Sequence, residues 1–223
     1  MTPPAATSGL ADPPDQRNLT SGLPACADLP SELHRLSDWP GTWWFADASP
    51  EHDTGGRFNL PAPEGTCYLA ETLEGALLEK LVRTPKRIVP AQRLLELFHT
   101  TVEVRQAPRL ADLVQPLTGL GLNAEIHVTL DYRRTRQWAV AIRRAGWRGL
   151  RYLLRGDNAL RQRGVALFGH AGLHRRAPRG LRTALHVIDV RMAATVLAAR
   201  GVMVLPIPSA DQIVLQHHDP GSG

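Results

Sequence analysis

The stretch from Gly55 to Val82 constrains the fold more tightly than any other part of the chain. A Gly-Gly break precedes Arg57, and Pro61 and Pro63 hold the next loop extended. Residues Thr66 to Ala70 read as a strand. Thr72 then suits an N-cap and Glu74 the first helical turn, which predicts a helix to about Val82. Leu73, Leu77 and Leu81 make its buried stripe, while Glu79 falls on the other side beside Gly75, Ala76 and Val82. A loop, a strand and a helix therefore present Arg57, Tyr68 and Glu79, eleven residues apart in each step. A guanidinium can hold a phosphate, an aromatic face can stack on a ring, and a carboxylate can steady a developing positive charge. Taken singly, each has an ordinary explanation as a surface arginine, a half-buried strand aromatic and a solvated glutamate.

The remaining elements are mixed. Glu32 to Leu36 and Thr42 to Phe45 read as strands, with Trp39, Trp43 and Trp44 packing as a core lid. Arg87 to Val89 suits a strand and Ala91 to His99 a short helix. In Thr100 to Ile126, Leu110, Leu113 and Leu117 suggest a helical turn ended by Gly119 and Gly121. Arg133 to Ala145 is a basic amphipathic helix, followed by strands at Gly149 to Leu153, Arg163 to Phe168 and Leu181 to Val187. A helix over Arg191 to Arg200 and a strand over Val202 to Leu205 end the pattern. Strands outnumber helices without regular alternation, so the expected class is α+β, not a doubly wound sheet.

At 223 residues, 43% hydrophobic and 21% charged, the chain can bury one substantial core. Residues 1–30 are rich in Pro with no apolar period and read as a flexible leader; residues 31–208 form the expected domain and 209–223 a tail. No signal-peptide pattern or membrane-length apolar run occurs, so a cytoplasmic location is expected. Cys26 and Cys67 give neither a disulfide framework nor metal-ligand spacing. His170 and His174 lack a third ligand, and His217 and His218 read as tail residues, so no metal is expected.

Charge divides the chain. Residues 1–132 hold 10 Lys and Arg against 17 Asp and Glu, a net −7; residues 133–223 hold 16 against 4, a net +12. From Arg133 to Arg182 there are 14 arginines and one acid, Asp157. Such a stretch suits a surface for nucleic acid, a docking face for an acidic partner, or simply solvated arginines in a chain that favours Arg over Lys.

Several short motifs follow one another in a fixed order: H-R-L from His34, G-R-F-N from Gly56, T-C-Y-L-A from Thr66 and A-L-L-E from Ala76. L-A-D-L at Leu110, D-Y-R-R-T-R-Q-W-A at Asp131, G-W-R-G-L-R-Y at Gly146 and G-V-A-L-F-G at Gly164 continue it. In this order the chain resembles the RES domain family over residues 32 to 170. Each motif alone is unspecific; their succession carries the resemblance.

The resemblance implies a compact fold similar to ADP-ribosyltransferases and the toxin role of a bacterial type II toxin–antitoxin pair. It implies an enzyme that cleaves the nicotinamide–ribose bond of NAD⁺ by hydrolysis, phosphorolysis or ADP-ribosyl transfer, with NAD⁺ as substrate and no prosthetic group. Arg57 matches the family arginine that holds ribose or diphosphate, Tyr68 the tyrosine on the nicotinamide, and Glu79 the catalytic glutamate. An Xre-type antitoxin and a homodimer are implied as partners, with no direct nucleic-acid contact. The family serine aligns with Leu154, in Tyr152-Leu153-Leu154-Arg155, and no serine occurs from residue 50 to 208. Asp157 or Asn158 then becomes the polar replacement to look for, and Arg155 the retained phosphate contact. Two other readings stay open: a catalytically degenerate RES-fold protein that binds a nucleotide or partner, and a basic nucleic-acid-binding protein.

Overall fold

A computed structural model of the chain describes residues 9–48, 56–82, 87–115 and 119–207. Gly55, Leu117, His217 and His218 lie outside the described residues, as does the expected tail from residue 209. Helix α1 (Gln16–Gly22) leads into strands β1 (Glu32–Ser37) and β2 (Trp43–Phe45). Next come β3 (Glu64–Ala70), α2 (Leu73–Leu81), β4 (Ile88–Pro90), α3 (Ala91–Leu95), β5 (Phe98–Val104) and β6 (Leu110–Asp112). A one-turn α4 (Glu125–Val128) and the longer α5 (Tyr132–Arg144) precede β7 (Gly149–Leu153), β8 (Arg163–His170), β9 (Gly172–His174) and β10 (Leu181–His186). Helix α6 (Val190–Ala199) and β11 (Met203–Leu205) follow. The class is α+β, as the irregular alternation predicted.

Seven strands form one sheet in the order β10-β5-β1-β3-β8-β7-β6, antiparallel throughout except for the parallel β6–β7 pair. Strand parity sends Cys67, Leu69, Val165 and Leu167 into one core and Ala70, Ala166 and Phe168 into the other. The second core is the larger and takes the inner faces of α2, α5 and α6.

One pairing differs from the rest. β1 and β3 meet only at His34↔Ala70, whereas β1 pairs with β5 along its whole length and β3 with β8 along its own. The antiparallel register would next set Leu36 opposite Tyr68, but the strands have already parted. The gap becomes a cleft.

Four expectations change. The helix from Ala91 stops at Leu95, and Phe98–Val104 is a full strand in which β-branched Thr100, Thr101 and Val102 suit the pleat. Leu110–Asp112 is also a strand, because it pairs with β7, not with its own neighbours. Of the three early tryptophans only Trp43 is core; Trp39 and Trp44 stay exposed, since β2 alternates and Trp43 and Phe45 take the inward positions.

The fourth correction concerns the leader. From residue 9 onward it is folded against the domain: Leu10, Leu19 and Leu23 are buried. Trp138 Nε1 donates to the Ala11 carbonyl at 2.8 Å and Trp147 Nε1 to the Leu19 carbonyl at 3.3 Å. Asp15 caps α1 by accepting the Asn18 amide. Three leucines without a period still bury about 1.5–3 kcal/mol each when a distant helix supplies the partner surface.

Arg134, Arg143, Arg151 and Arg163 of the basic second half are matched by acids of the first half. Arg134 pairs with Asp12, and Arg143 with Glu64 at 2.5 Å. Arg151 is fully buried and meets Asp112, Asp28 and Glu71, while Arg163 reaches Asp28 and Glu71. These arginines hold the fold together and do not contribute to an open basic surface.

Candidate active site

The cleft left by the parting of β1 and β3 has a volume of about 280 Å³. Tyr68 from β3 and Glu79 from α2 both line it, with Arg35, Trp39, Trp44 and Asn59. Helix α2 delivers Glu79 as its sequence predicts: Thr72 is the N-cap, its hydroxyl accepting the Gly75 amide at 2.9 Å, and Val82 the C-cap. Its buried face is shifted from the expected leucine stripe: Leu77 is buried with Gly75, Ala76 and Leu78, while Leu73 and Leu81 are half-buried. Ala76 lines the cleft beside Glu79.

Tyr68 is fixed at its hydroxyl. It donates to Asn59 Oδ1 at 2.8 Å and accepts the Phe58 amide proton at 2.9 Å. The loop that supplies these partners is held from α5, where Thr135 Oγ1 donates to the Arg57 carbonyl at 2.6 Å and Arg136 Nε to the Gly56 carbonyl at 3.3 Å. Asn59 in turn donates to the Asp47 carbonyl at 2.9 Å, so both hydroxyl partners are themselves restrained.

Arg57 does not line this cleft. It is 7% exposed, and its Nη1 donates to the His127 carbonyl. The guanidinium lies 5.6 Å from the Phe58 ring centre and 5.5 Å from that of Tyr152, and its buried Nε has no hydrogen-bond partner. His127 accepts the Leu153 amide on Nδ1 at 3.2 Å; burial, with Arg57 beside it, pushes its pKa down to about 4. A neutral imidazole and a cation can share this space.

The cation that faces the cleft is Arg35, a residue within the H-R-L motif to which sequence reasoning gave no role. Its Nη1 donates to Cys67 Sγ and, at 3.4 Å, to the Tyr68 carbonyl; its Nη2 donates to the Trp44 carbonyl at 3.4 Å. The Tyr68 carbonyl lies where the β1–β3 ladder would have continued, so Arg35 spans the open seam. No carboxylate of the described residues pairs with it. A cation of this kind favours an anionic ligand. Neighbouring cations are already matched: Lys80 meets Asp38 at 2.5 Å, and Arg93 also pairs with Asp38.

Leu154 is fully buried. A Cβ on Gly75 would come 3.1 Å from its Cδ1 and one on Gly164 2.6 Å from its Cδ2, so two glycines make the socket this leucine fills. Asp157 does not take over the serine position. Its carboxylate accepts the amides of Ala159, Arg161 and Gln162 and pairs with Arg200, which fixes the turn before β8. Asn158 accepts from Arg87. Arg155 lies over the Tyr132 ring at 5.8 Å, outside the cleft lining, with its Nη1 buried and unpartnered. Among the described residues no cluster of three or more His, Cys, Asp or Glu could hold a metal, and no helix is long and apolar enough to cross a membrane.

The fold has a solved counterpart. It matches a chain of the crystal structure of the M. tuberculosis MbcT–MbcA toxin–antitoxin complex with a TM-score of 0.54 at 15% identity, covering 86% of this chain and 98% of that one. At that identity the likeness is one of fold. No curated protein matches the sequence. The RES domain model, however, matches residues 32–184, which include both walls of the cleft and every motif in the ordered series. The chain belongs to the RES domain family.

Proposed function

We propose that this protein is the toxin of a bacterial toxin–antitoxin pair and that it breaks the nicotinamide–ribose bond of NAD⁺ in the cleft between β1 and β3. One observation carries the reading: Tyr68 and Glu79, on different elements, line the same cleft in a RES-family chain. Tyr68, held at its hydroxyl, offers its ring to the nicotinamide. Glu79 stands where the ribose would develop positive charge. As the C1′–N bond lengthens, its electron pair moves to the pyridinium nitrogen and nicotinamide leaves neutral, so no acid is needed. The carboxylate stabilises the oxocarbenium-like ribose until an acceptor adds at C1′ and loses its proton.

Arg35 is the natural partner of the diphosphate, since it faces the cleft without a carboxylate partner among the described residues. Arg57 holds the loop that pins Tyr68 and acts on the substrate through it. An Xre-type antitoxin and a second copy of the chain complete the set of partners; the toxin–antitoxin setting of the structural counterpart supports the first.

Purified protein incubated with NAD⁺ should release nicotinamide, and Glu79→Gln should abolish release with an unchanged circular dichroism spectrum. The second product identifies the acceptor: ADP-ribose for water, its 1″-phosphate for phosphate, or a labelled protein. If NAD⁺ stays intact with all three acceptors, the reading fails. The apolar socket of Leu154 favours one alternative, a RES-fold protein that binds NAD⁺ without turnover. Saturable NAD⁺ binding with no product selects it.

A further inference from the structure

We propose that Trp39 and Trp44 form a purine subsite at the mouth of the cleft, holding the adenine of the dinucleotide; this rests on the NAD⁺ reading above and extends it. Enclosing sites for small molecules run from about 300 to 1,000 Å³. At about 280 Å³ the cleft accommodates one nucleoside half, and the other half must lie on its rim.

The rim carries two large aromatic side chains. Trp39 and Trp44 are each 39% exposed, and their rings meet edge to face with centres 5.8 Å apart at 78°. Neither position is accidental. Trp43 and Phe45 occupy the core on either side of Trp44, so strand parity turns Trp44 outward, and pairing of β2 with β9 sets it opposite Leu173. The Trp39 carbonyl accepts from Ser37 Oγ at 2.6 Å. Gly41 leaves room for its indole, because a Cβ there would come 3.2 Å from Trp39 Cδ1. Two perpendicular indoles offer one π-face for stacking and one edge for lateral contact, which suits a flat heterocycle.

Arg35 gives the order of binding. Its guanidinium donates to the Trp44 carbonyl on one side and the Tyr68 carbonyl on the other. Arg35 therefore bridges the backbone of Trp44 and that of Tyr68, and all three residues line one cleft with Trp39. Adenine, diphosphate and nicotinamide follow one another along NAD⁺.

The test is calorimetric titration of NAD⁺, AMP and nicotinamide mononucleotide into Glu79→Gln protein and into the same protein carrying Trp39→Ala and Trp44→Ala. The expected result is a loss of about tenfold or more in affinity for NAD⁺ and AMP, with mononucleotide binding unchanged. Trp44→Phe alone, which keeps an aromatic face, should restore much of the loss. Undiminished AMP and NAD⁺ binding by the double tryptophan variant overturns the subsite while leaving the NAD⁺ reading intact. Equal losses for all three ligands also overturn it, because the effect would then lie in the whole cleft. Absence of NAD⁺ binding by the parent protein overturns the functional reading, and the subsite with it.

Discussion

Gly56 and Tyr68 are so close that a Cβ on the glycine would fall against the tyrosine hydroxyl and within 2.7 Å of Asn59 Oδ1. The glycine is therefore a steric requirement of the Tyr68–Asn59 hydrogen bond. Gly56→Ala should cost about 1–3 kcal/mol by overpacking, read from urea unfolding, and should depress NAD⁺ consumption through displacement of the tyrosine. Wild-type turnover in this variant would show that Tyr68 does not need its pinned position.

Leu154→Ser restores the family's hydroxyl but places it between Gly75 and Gly164, with a void where the isobutyl group was. A drop of about 2–5 kcal/mol in unfolding free energy is expected, with no gain in nicotinamide release. A rise in turnover would reverse the view that this position is now structural.

Stability should fall as the solution is acidified, because His127 and His99 each have a pKa pushed down to about 4 from an ordinary 6.5. Burial is the first cause in both; Arg57 adds to it at His127, and His34 and His186 add to it at His99. The unfolded chain binds these protons from about pH 6.5 downward and the folded chain resists them until about pH 4. Their contribution is thus complete above 6.5 and drains away between the two values. Chemical unfolding at pH 7.5 and 4.5 should show the loss, and His127→Gln should shrink it by about 2–3 kcal/mol.

Arg151 and Asp112 form a buried pair, Arg151 Nε donating to Asp112 Oδ1 at 2.9 Å. Asp112→Leu leaves the arginine short of its best partner and should cost about 3–5 kcal/mol. Adding Arg151→Met should recover a large part of that loss, measured as the coupling in a double-mutant cycle. Simple additivity would mean the pair is energetically idle.

Leu19→Ala tests the folded leader. A fully buried leucine truncated here should lower stability by about 2–5 kcal/mol. A change near zero would mean that residues from 9 onward dock without contributing to the core.

What could be read in advance follows the range of the forces involved. Helix α2, its Thr72 cap and strand β3 are specified by neighbours a few residues apart, and so Tyr68 and Glu79 were legible. Helix α5 was legible for the same reason. Strand β6 was not, because its partners are distant in the chain: β7 nearly forty positions later and the bridge at Ala25 far before it. Leu10, Leu19 and Leu23 show no period since each answers to a separate surface on a distant element. Arg35, Trp39 and Trp44 line one cleft only because β1 parts from β3, and no local pattern encodes a missing ladder. Arg57 carried the right motif, yet its guanidinium is claimed by the His127 carbonyl.

The pairing of the two oppositely charged halves sets a timetable. A ribosome adds about 5–20 residues per second, so Asp28 waits on the order of ten seconds for Arg151 to be made. Until then the first half keeps its net negative charge, and β3, one wall of the cleft, lacks its partner β8, whereas β1 already has β5. A chain interrupted before Arg151 and Arg163 carries Tyr68 and Glu79 but lacks the strand that pairs with the whole of β3. The Tyr68 wall of the cleft is therefore completed only once β8 has been made.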